Sequence, residues 1–342
     1  MINDDAKPDH LLVLVHGIMG SPSDWTYCEA ELKRRLGKRF LIYASSCNTY
    51  TKTFTGIDGA GKRLADEVMQ VVKKTKSLQK ISFLAHSLGG LIARYAIAVL
   101  YTQNVDSENS CDSDNGLIAG LEAINFITLA RNFRSFSECR FWRKSPLHLP
   151  LFLLVKRAVN SFLQMVGPIN LLCYYEWPRI VKMGNLYLHL VLSNIGYYMV
   201  GWRTSSIRRE SELVKPFDQS LDGYEHIVNI EYCPPVLSET PDFPPEAARA
   251  KEAAQNKPNT QNTREYHEIM EDEMIDGLQR LGWTKVDVSF HSTFWPFMAH
   301  HNIQVKNEWF NNAGAGVVAH VADSIIEQEK KEGLSPYIGA GL

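Results

Sequence analysis

The sequence predicts an α/β protein built on a mostly parallel, doubly wound sheet flanked by helices. Three observations carry that prediction. Residues 11–15, LLVLV, form a continuous apolar run of strand length, the pattern of a strand buried on both faces. Runs of this kind alternate with stretches whose apolar residues recur at helical spacing. The connections are short, and strand–helix–strand succession with short loops marks parallel strands joined by crossover helices.

Taken in order, residues 11–15 are the first strand, closed by the turn cluster HGIMGSPSD and followed by a helical pattern through Leu36. Residues 40–44 read as a second strand. A glycine-rich turn at 56–61 leads into a helix marked by Leu64, Val68, Val71 and Val72. Residues 81–85 form a third strand, and Leu88, Ile92, Tyr95, Ala96 and Val99 mark the helix behind it. Residues 104–115, NVDSENSCDSDN, are an acidic, solvated loop before another buried strand at 123–129. Beyond the middle of the chain, 234–263 is a Pro-, Ala- and polar-rich surface excursion. An amphipathic helix follows at 265–281, then an alternating strand at 286–290 and a closing helix at 316–326.

Composition bounds the function classes. Hydrophobic content is 45% and charged content 22%, ordinary for a soluble globular chain. A net charge of −2 gives no case for nucleic acid as a partner. The six cysteines, Cys28, Cys47, Cys111, Cys139, Cys173 and Cys233, lie far apart without a CxxC pair, so neither a zinc site nor a disulfide framework is expected. The start, MINDDAKPDH, is polar and acidic rather than signal-like, and the expected location is cytoplasmic.

Chemistry enters at residues 85–89. Ala85-His86-Ser87-Leu88-Gly89 matches a nucleophile elbow, G-x-S-x-G, with Ala in the first glycine position. The turn from strand to helix is sharp and strained, so its neighbours must be small. Gly90 lets the following helix pack closely. A serine merely capping a helix would need none of this set. In such folds the turn after an early strand supplies one oxyanion-hole N–H and the residue after the nucleophile supplies the other, which nominates the backbones of Ile18 and Leu88. The general base comes late in the chain, from SFHSTFWPFMAHHNIQVK. His291, His300 and His301 are the candidates, and His300 is favoured because a loop residue beyond the strand can swing over Ser87. No third ligand stands at metal spacing from His300 and His301, so no metal or cofactor is expected.

Long stretches of the chain resemble the serine esterase and lipase-like family of plants and fungi. The resemblance rests on PDHLLVLVHGIMGSPSDW, NTYTKTFTGIDGAGKRLADEV and KISFLAHSLGGLIARYAI, then on MVGWRTSSIRRE, LGWTKVDVSFHSTFWPFMAHHNIQVK and NAGAGVVAHVADS. It implies a single α/β-hydrolase domain over 1–342 and hydrolysis of carboxylic esters, with lipid esters such as acylglycerols or phospholipids as the substrate class and transient contact with a membrane surface. It implies Ser87 as nucleophile and His300 as base.

The resemblance breaks between residues 131 and 198. The family continues the strand at 123–129 with ThrProHis and a glycine, where this chain reads TLARNFRSFSEC. The family also carries its triad acid just before MVGW, where this chain has Gly196-Tyr197-Tyr198. From Ala123 to Arg209 the carboxylates are Glu138 and Glu176, amid a dozen arginines and lysines. Residues 131–198 are therefore expected to be irregular or poorly ordered. Either they were read from a shifted frame or misplaced splice, or they are a divergent lid. The triad acid is unknown, with Asp218 and Asp222 as weak candidates, and the hydrolase is expected to be impaired. The alternative is a catalytically inactive fold member that binds a lipid or a partner. Two further patterns carry less. Residues 56–62, GIDGAGK, fit a phosphate loop except that Arg63 stands where Ser or Thr would hold Mg²⁺. Residues 183–202 lack charge at near membrane-span length, but three glycines and polar residues interrupt them.

Overall fold

The computed structural model describes residues 7–102, 116–129, 223–236, 249, 278–279, 281–294 and 298–334, and the backbone of 187–194. Among these, β1 (His10–Val15), α1 (Thr26–Leu36), β2 (Phe40–Ala44), α2 (Ile57–Lys74), β3 (Lys80–His86) and α3 (Gly89–Leu100) follow one another as the sequence predicts. A small hairpin, β4 (Tyr101–Thr102) with β5 (Leu117–Ile118), precedes β6 (Glu122–Leu129). Then come β7 (Tyr187–Asn194), β8 (Ile227–Cys233) and β9 (Trp283–Ser289). The chain closes with two short helices, α4 (Ala299–Asn302) and α5 (Glu308–Asn311), and the long α6 (Ala315–Leu334).

Among the described residues, seven strands form one sheet in the order β2-β1-β3-β6-β7-β9-β8. Neighbours run parallel except at the edge, where β8 is antiparallel to β9. This is the α/β-hydrolase arrangement. The chain steps from β1 outward to β2 and then returns to the other side of β1 for β3. That reversal opens a crevice beyond the carboxyl ends of β1 and β3, the place where open α/β sheets bind ligands. Register fixes how those ends meet: Leu14 pairs with Leu84 and Val15 with Ala85, so the loops leaving the two strands lie side by side.

Period-2 alternation divides the core between the two faces of the sheet. Leu11, Val13, Val15, Ile81, Phe83 and Ala85 pack under residues of α2 and α3. Leu12, Leu14 and Leu84 pack on the opposite face with Trp25 and Leu32 of the α1 region, Val286 and Val288 of β9, and Val317, Val321 and Ile325 of α6.

The differences from the sequence prediction have physical causes. β9 begins three residues before the predicted 286–290 because Trp283 is buried and pairs with Cys233. Lys285 and Asp287 are buried there too, and their charges hid the strand from an apolar pattern. β8 went unread because, as an edge strand, its residues from Asn229 onward are half-buried or exposed and its alternation is blunted. α6 extends to Leu334 through a polar last turn that lacks the apolar spacing. The phosphate-loop pattern fails on context: a 3₁₀ turn, Tyr50–Phe54, precedes Gly56 where a strand is required, and Arg63 donates to Asn48 Oδ1 at 2.9 Å and Thr55 Oγ1 at 2.6 Å. The acidic loop, most of 131–198 and nearly all of the 234–281 stretch lie outside the described residues. No described helix is long and apolar enough to cross a membrane.

Candidate active site

Ser87 follows β3 directly, beside the turn that leaves β1, and is buried. Its φ is +54°, the left-handed region that a side chain with a Cβ rarely adopts. The conformation is held on both sides: Ser87 N–H donates to the Leu129 carbonyl on β6 at 2.9 Å, and the Ser87 carbonyl accepts from Gly90 N–H at 3.1 Å. α3 starts at Gly89 directly after the turn. A Cβ on Gly89 would stand 2.3 Å from the Val15 carbonyl oxygen and 2.7 Å from that of His16. Only a glycine there lets the turn after β3 lie against the end of β1.

The facing turn is as closely fitted. A Cβ on Gly17 would come within 2.9 Å of Ser87 Cβ. Met19 takes φ +54°, and its N–H donates to Thr53 Oγ1 at 3.1 Å, while Gly20 N–H turns back to the Gly17 carbonyl at 3.1 Å. The N–H groups of Ile18 and Leu88 make no hydrogen bond among the described residues. They are the donors that the motif nominated, on the two loops that flank Ser87.

Three polar side chains close the site. His16 is buried and donates from Nδ1 to the Gly17 carbonyl at 3.0 Å, leaving Nε2 buried without a partner among the described residues. Burial lowers its pKa, against the hydrogen bond to Gly17. His86, the last residue of β3, points to the face of the sheet occupied by α1 and α6. Its Nε2 lies 2.8 Å from the His300 carbonyl, and the two rings stand 4.6 Å apart at a tilt of 49°. His300, in α4, is thereby brought against the residue preceding Ser87. Its Nδ1 is buried and has no partner among the described residues. Burial pushes its imidazole down to about 3, and the nearby His301 and Lys306 push the same way.

Of the other late histidines, His291 is exposed in the turn after β9. His301 is half-buried, its ring 5.9 Å from that of His300, with burial lowering its pKa and Asp24 opposing. Asp24 pairs with Lys306 at 3.1 Å across the base of this loop. Asp218 and Asp222 lie outside the described residues, as do residues 195–200, the slot after β7 where the family's acid is expected. Among the described residues no group of three or more His, Cys, Asp or Glu stands where it could hold a metal ion. The sequence had pointed to Ser87, Ile18, Leu88 and His300. The sequence assigns nothing to His86, whose contact with His300 joins residues 214 positions apart. Alternation along β3 could have placed that ring on the α1–α6 face, but not beside residue 300.

Residues 5–133 match the family described as "Putative serine esterase (DUF676)", so this segment carries the serine esterase and lipase-like sequence pattern. "Putative lipase ROG1" of Saccharomyces cerevisiae is 31% identical over 133 residues, 38% of this chain and 18% of that protein. "Putative lipase C4A8.10" of Schizosaccharomyces pombe is 25% identical over 132 residues, 36% of this chain and 16% of that protein. The match thus spans less than a fifth of either relative's length. Among solved structures, the mature lipase BlEst2 of Bacillus licheniformis is 18% identical with a TM-score of 0.35, covering 56% of this chain and 68% of its own. Phospholipase PlaB of Legionella pneumophila is 14% identical with a TM-score of 0.37, covering 58% of this chain and 43% of its own.

Proposed function

We propose that this chain is a serine hydrolase of carboxylic esters, with lipid esters such as acylglycerols or phospholipids as its substrate class. The observation that carries the proposal is Ser87 held at φ +54° where the ends of β1 and β3 meet, flanked by two turns whose Ile18 and Leu88 N–H groups make no hydrogen bond among the described residues. Strain of that kind persists only where the surroundings enforce it, and it clusters at reacting groups. Ser87 Oγ attacks the ester carbonyl carbon while His300 accepts the hydroxyl proton. The N–H groups of Ile18 and Leu88 stabilise the negative oxygen of the tetrahedral intermediate, each such donor contributing about 3 kcal/mol in comparable sites. Collapse expels the alcohol, which takes the proton from the imidazolium, and water releases the acyl group by the same route reversed.

The surface beside the two turns suits an apolar substrate. Met19, Tyr50 and Phe54, on the turns beside Ile18, are 50%, 59% and 37% exposed. They support contact with the surface of a membrane or lipid droplet during turnover. A cytoplasmic location belongs to the same proposal, and cell fractionation tests it.

The triad acid decides how active the enzyme is. In serine proteases, replacing that acid costs about 10⁴-fold in kcat, because it orients the base and stabilises its charged form. The buried Nδ1 of His300, without a partner among the described residues, favours a second reading: an inactive fold member that binds lipid or a partner in the same crevice. Hydrolysis of a short-chain nitrophenyl ester by wild type and Ser87→Ala separates the two, together with labelling by a fluorophosphonate. Turnover and labelling that vanish in Ser87→Ala support the hydrolase. Equal rates in both proteins, with no labelling, leave the binding protein.

A further inference from the structure

We propose that His86 is the positioning residue for the base, clamping the His300 loop to the strand that ends in Ser87. The role of the clamp in turnover rests on the hydrolase proposal above, and the link between the two residues does not. Ser82, Leu84 and His86 share one face of β3, and the α4 region packs on that face through Ala299, Ile303 and Val305. At the carboxyl end of the strand this puts the His86 ring under residue 300. A carbonyl oxygen only accepts, so the 2.8 Å contact requires the proton on His86 Nε2. The ring has little freedom to leave, since His86 is 4% exposed.

The rest of the loop is anchored elsewhere. Ile303 N–H returns to the Ala299 carbonyl at 3.1 Å, Val305 N–H to that of Asn302 at 2.9 Å, and Asn311 Nδ2 holds Asn302 Oδ1 at 2.7 Å. Lys306 is tied to Asp24. These contacts, with the buried Ala299 and the hydrogen bond from Lys306 N–H to the His301 carbonyl at 3.1 Å, hold the loop on either side of residue 300. Among the described residues, the side chain hydrogen-bonded to residue 300 itself is that of His86. Burial, reinforced by His300, keeps the His86 pKa well below its ordinary value, so the ring stays neutral and the donor persists at working pH. A base displaced by about 1 Å can cost 10²-fold in rate, which is the scale at which such a clamp acts.

Two measurements test the clamp. Histidine-selective ¹⁵N NMR of the full chain is expected to show His86 as the neutral Nε2–H tautomer, and His86→Leu is expected to shift the ring resonances of His300. The Nδ1–H tautomer at His86, or an unmoved His300, would overturn the link whether or not the protein hydrolyses esters. In nitrophenyl ester turnover, His86→Leu is expected to lower kcat by about 10²-fold with KM changed by less than about threefold. His86→Gln, which keeps a donor, is expected to recover at least tenfold of that loss, and this variant also covers the case of a Leu variant that folds poorly. Wild-type kcat in both variants, with Ser87→Ala inactive, would overturn the clamp and leave the hydrolase standing. Turnover insensitive to Ser87→Ala would instead overturn the hydrolase, and the NMR result still decides the link.

Discussion

The two ends of β3 carry the same residue types to opposite effect. At the amino end, Ser82 Oγ lies 2.8 Å from His10 Nε2, and His10 Nδ1 lies 2.8 Å from Glu329 Oε1 on α6. Drawn on paper this is a Ser–His–Glu triad. At the carboxyl end, Ser87, His86 and His300 have no carboxylate beside them among the described residues. Yet the amino-end set is structural. Ser82 and His10 are fully buried, Ser82 also accepts from Asn125 N–H at 3.1 Å, and its backbone is ordinary strand. The set ties α6 to the sheet. At the carboxyl end Ser87 is strained, and His16 Nε2, Thr128 Oγ1 and His300 Nδ1 are buried without partners among the described residues. Triad connectivity alone is therefore no sign of catalysis. What distinguishes the carboxyl end is the strained backbone of Ser87 with several unmet polar atoms around it, whereas the backbone at the amino end is ordinary strand although Asn125 Oδ1 is likewise unmet there among the described residues.

The sharpest way to break this contrast is to truncate both serines. Ser87→Ala is expected to lower ester turnover by at least about 10³-fold with an unchanged melting temperature. Ser82→Ala is expected to leave kcat within about twofold while costing about 1–3 kcal/mol of stability, because His10 Nε2 and Asn125 N–H are left buried without their acceptor or donor. A reversal of these two outcomes in assays of turnover and thermal unfolding would exchange the roles of the two ends. Next in size is Gly89→Ala. Its Cβ meets backbone oxygens of β1, which cannot step aside as a side chain can, so a loss of about 3 kcal/mol is expected in urea unfolding.

The pH profiles should also differ. A base is useful only while neutral, and burial holds His300 at about 3. The acid limb of kcat/KM is therefore expected below the ordinary histidine range, under about pH 5, rather than near 6.5. A limb near 6.5 would mean that a carboxylate from elsewhere in the chain supports the imidazole. The smallest expected effect lies at the amino end. Burial alone would raise the Glu329 pKa, but the hydrogen bond from His10, with Lys80 and Arg39 nearby, holds it below its ordinary value. A carboxylate with a depressed folded-state pKa contributes stability above its unfolded value. That contribution is lost as pH falls from the ordinary glutamate range through the folded value, since the unfolded chain then binds more protons. The melting temperature of the wild type should drop over that interval more steeply than that of Glu329→Gln.

Much of the candidate site is legible in the sequence alone. The run at 11–15, the glycines at 17, 20, 89 and 90, and the serine between strand and helix are local signals, because a strained turn restricts which residues can flank it. The strands at 81–85 and 123–129 were legible for a related reason: buried parallel strands are apolar on both faces, and the half-buried edge strand at 40–44 was legible because its residues, FLIYA, are nonetheless all apolar or aromatic. β8 was not, since an edge strand shows water one face and loses the pattern. Nor were Ser82, His10 and Glu329, whose association depends on register between β1 and β3 and on where α6 docks.

The sequence by itself determined the elbow, the turn opposite it and the parallel order that aligns them, since each follows from short-range sterics and from apolar periodicity. Only the tertiary structure decided which of three late histidines is brought against the strand that leads into Ser87, and that His86 meets it there. Such a meeting is set by the packing of α4 on β3 across 214 residues, and no local pattern encodes a contact at that separation.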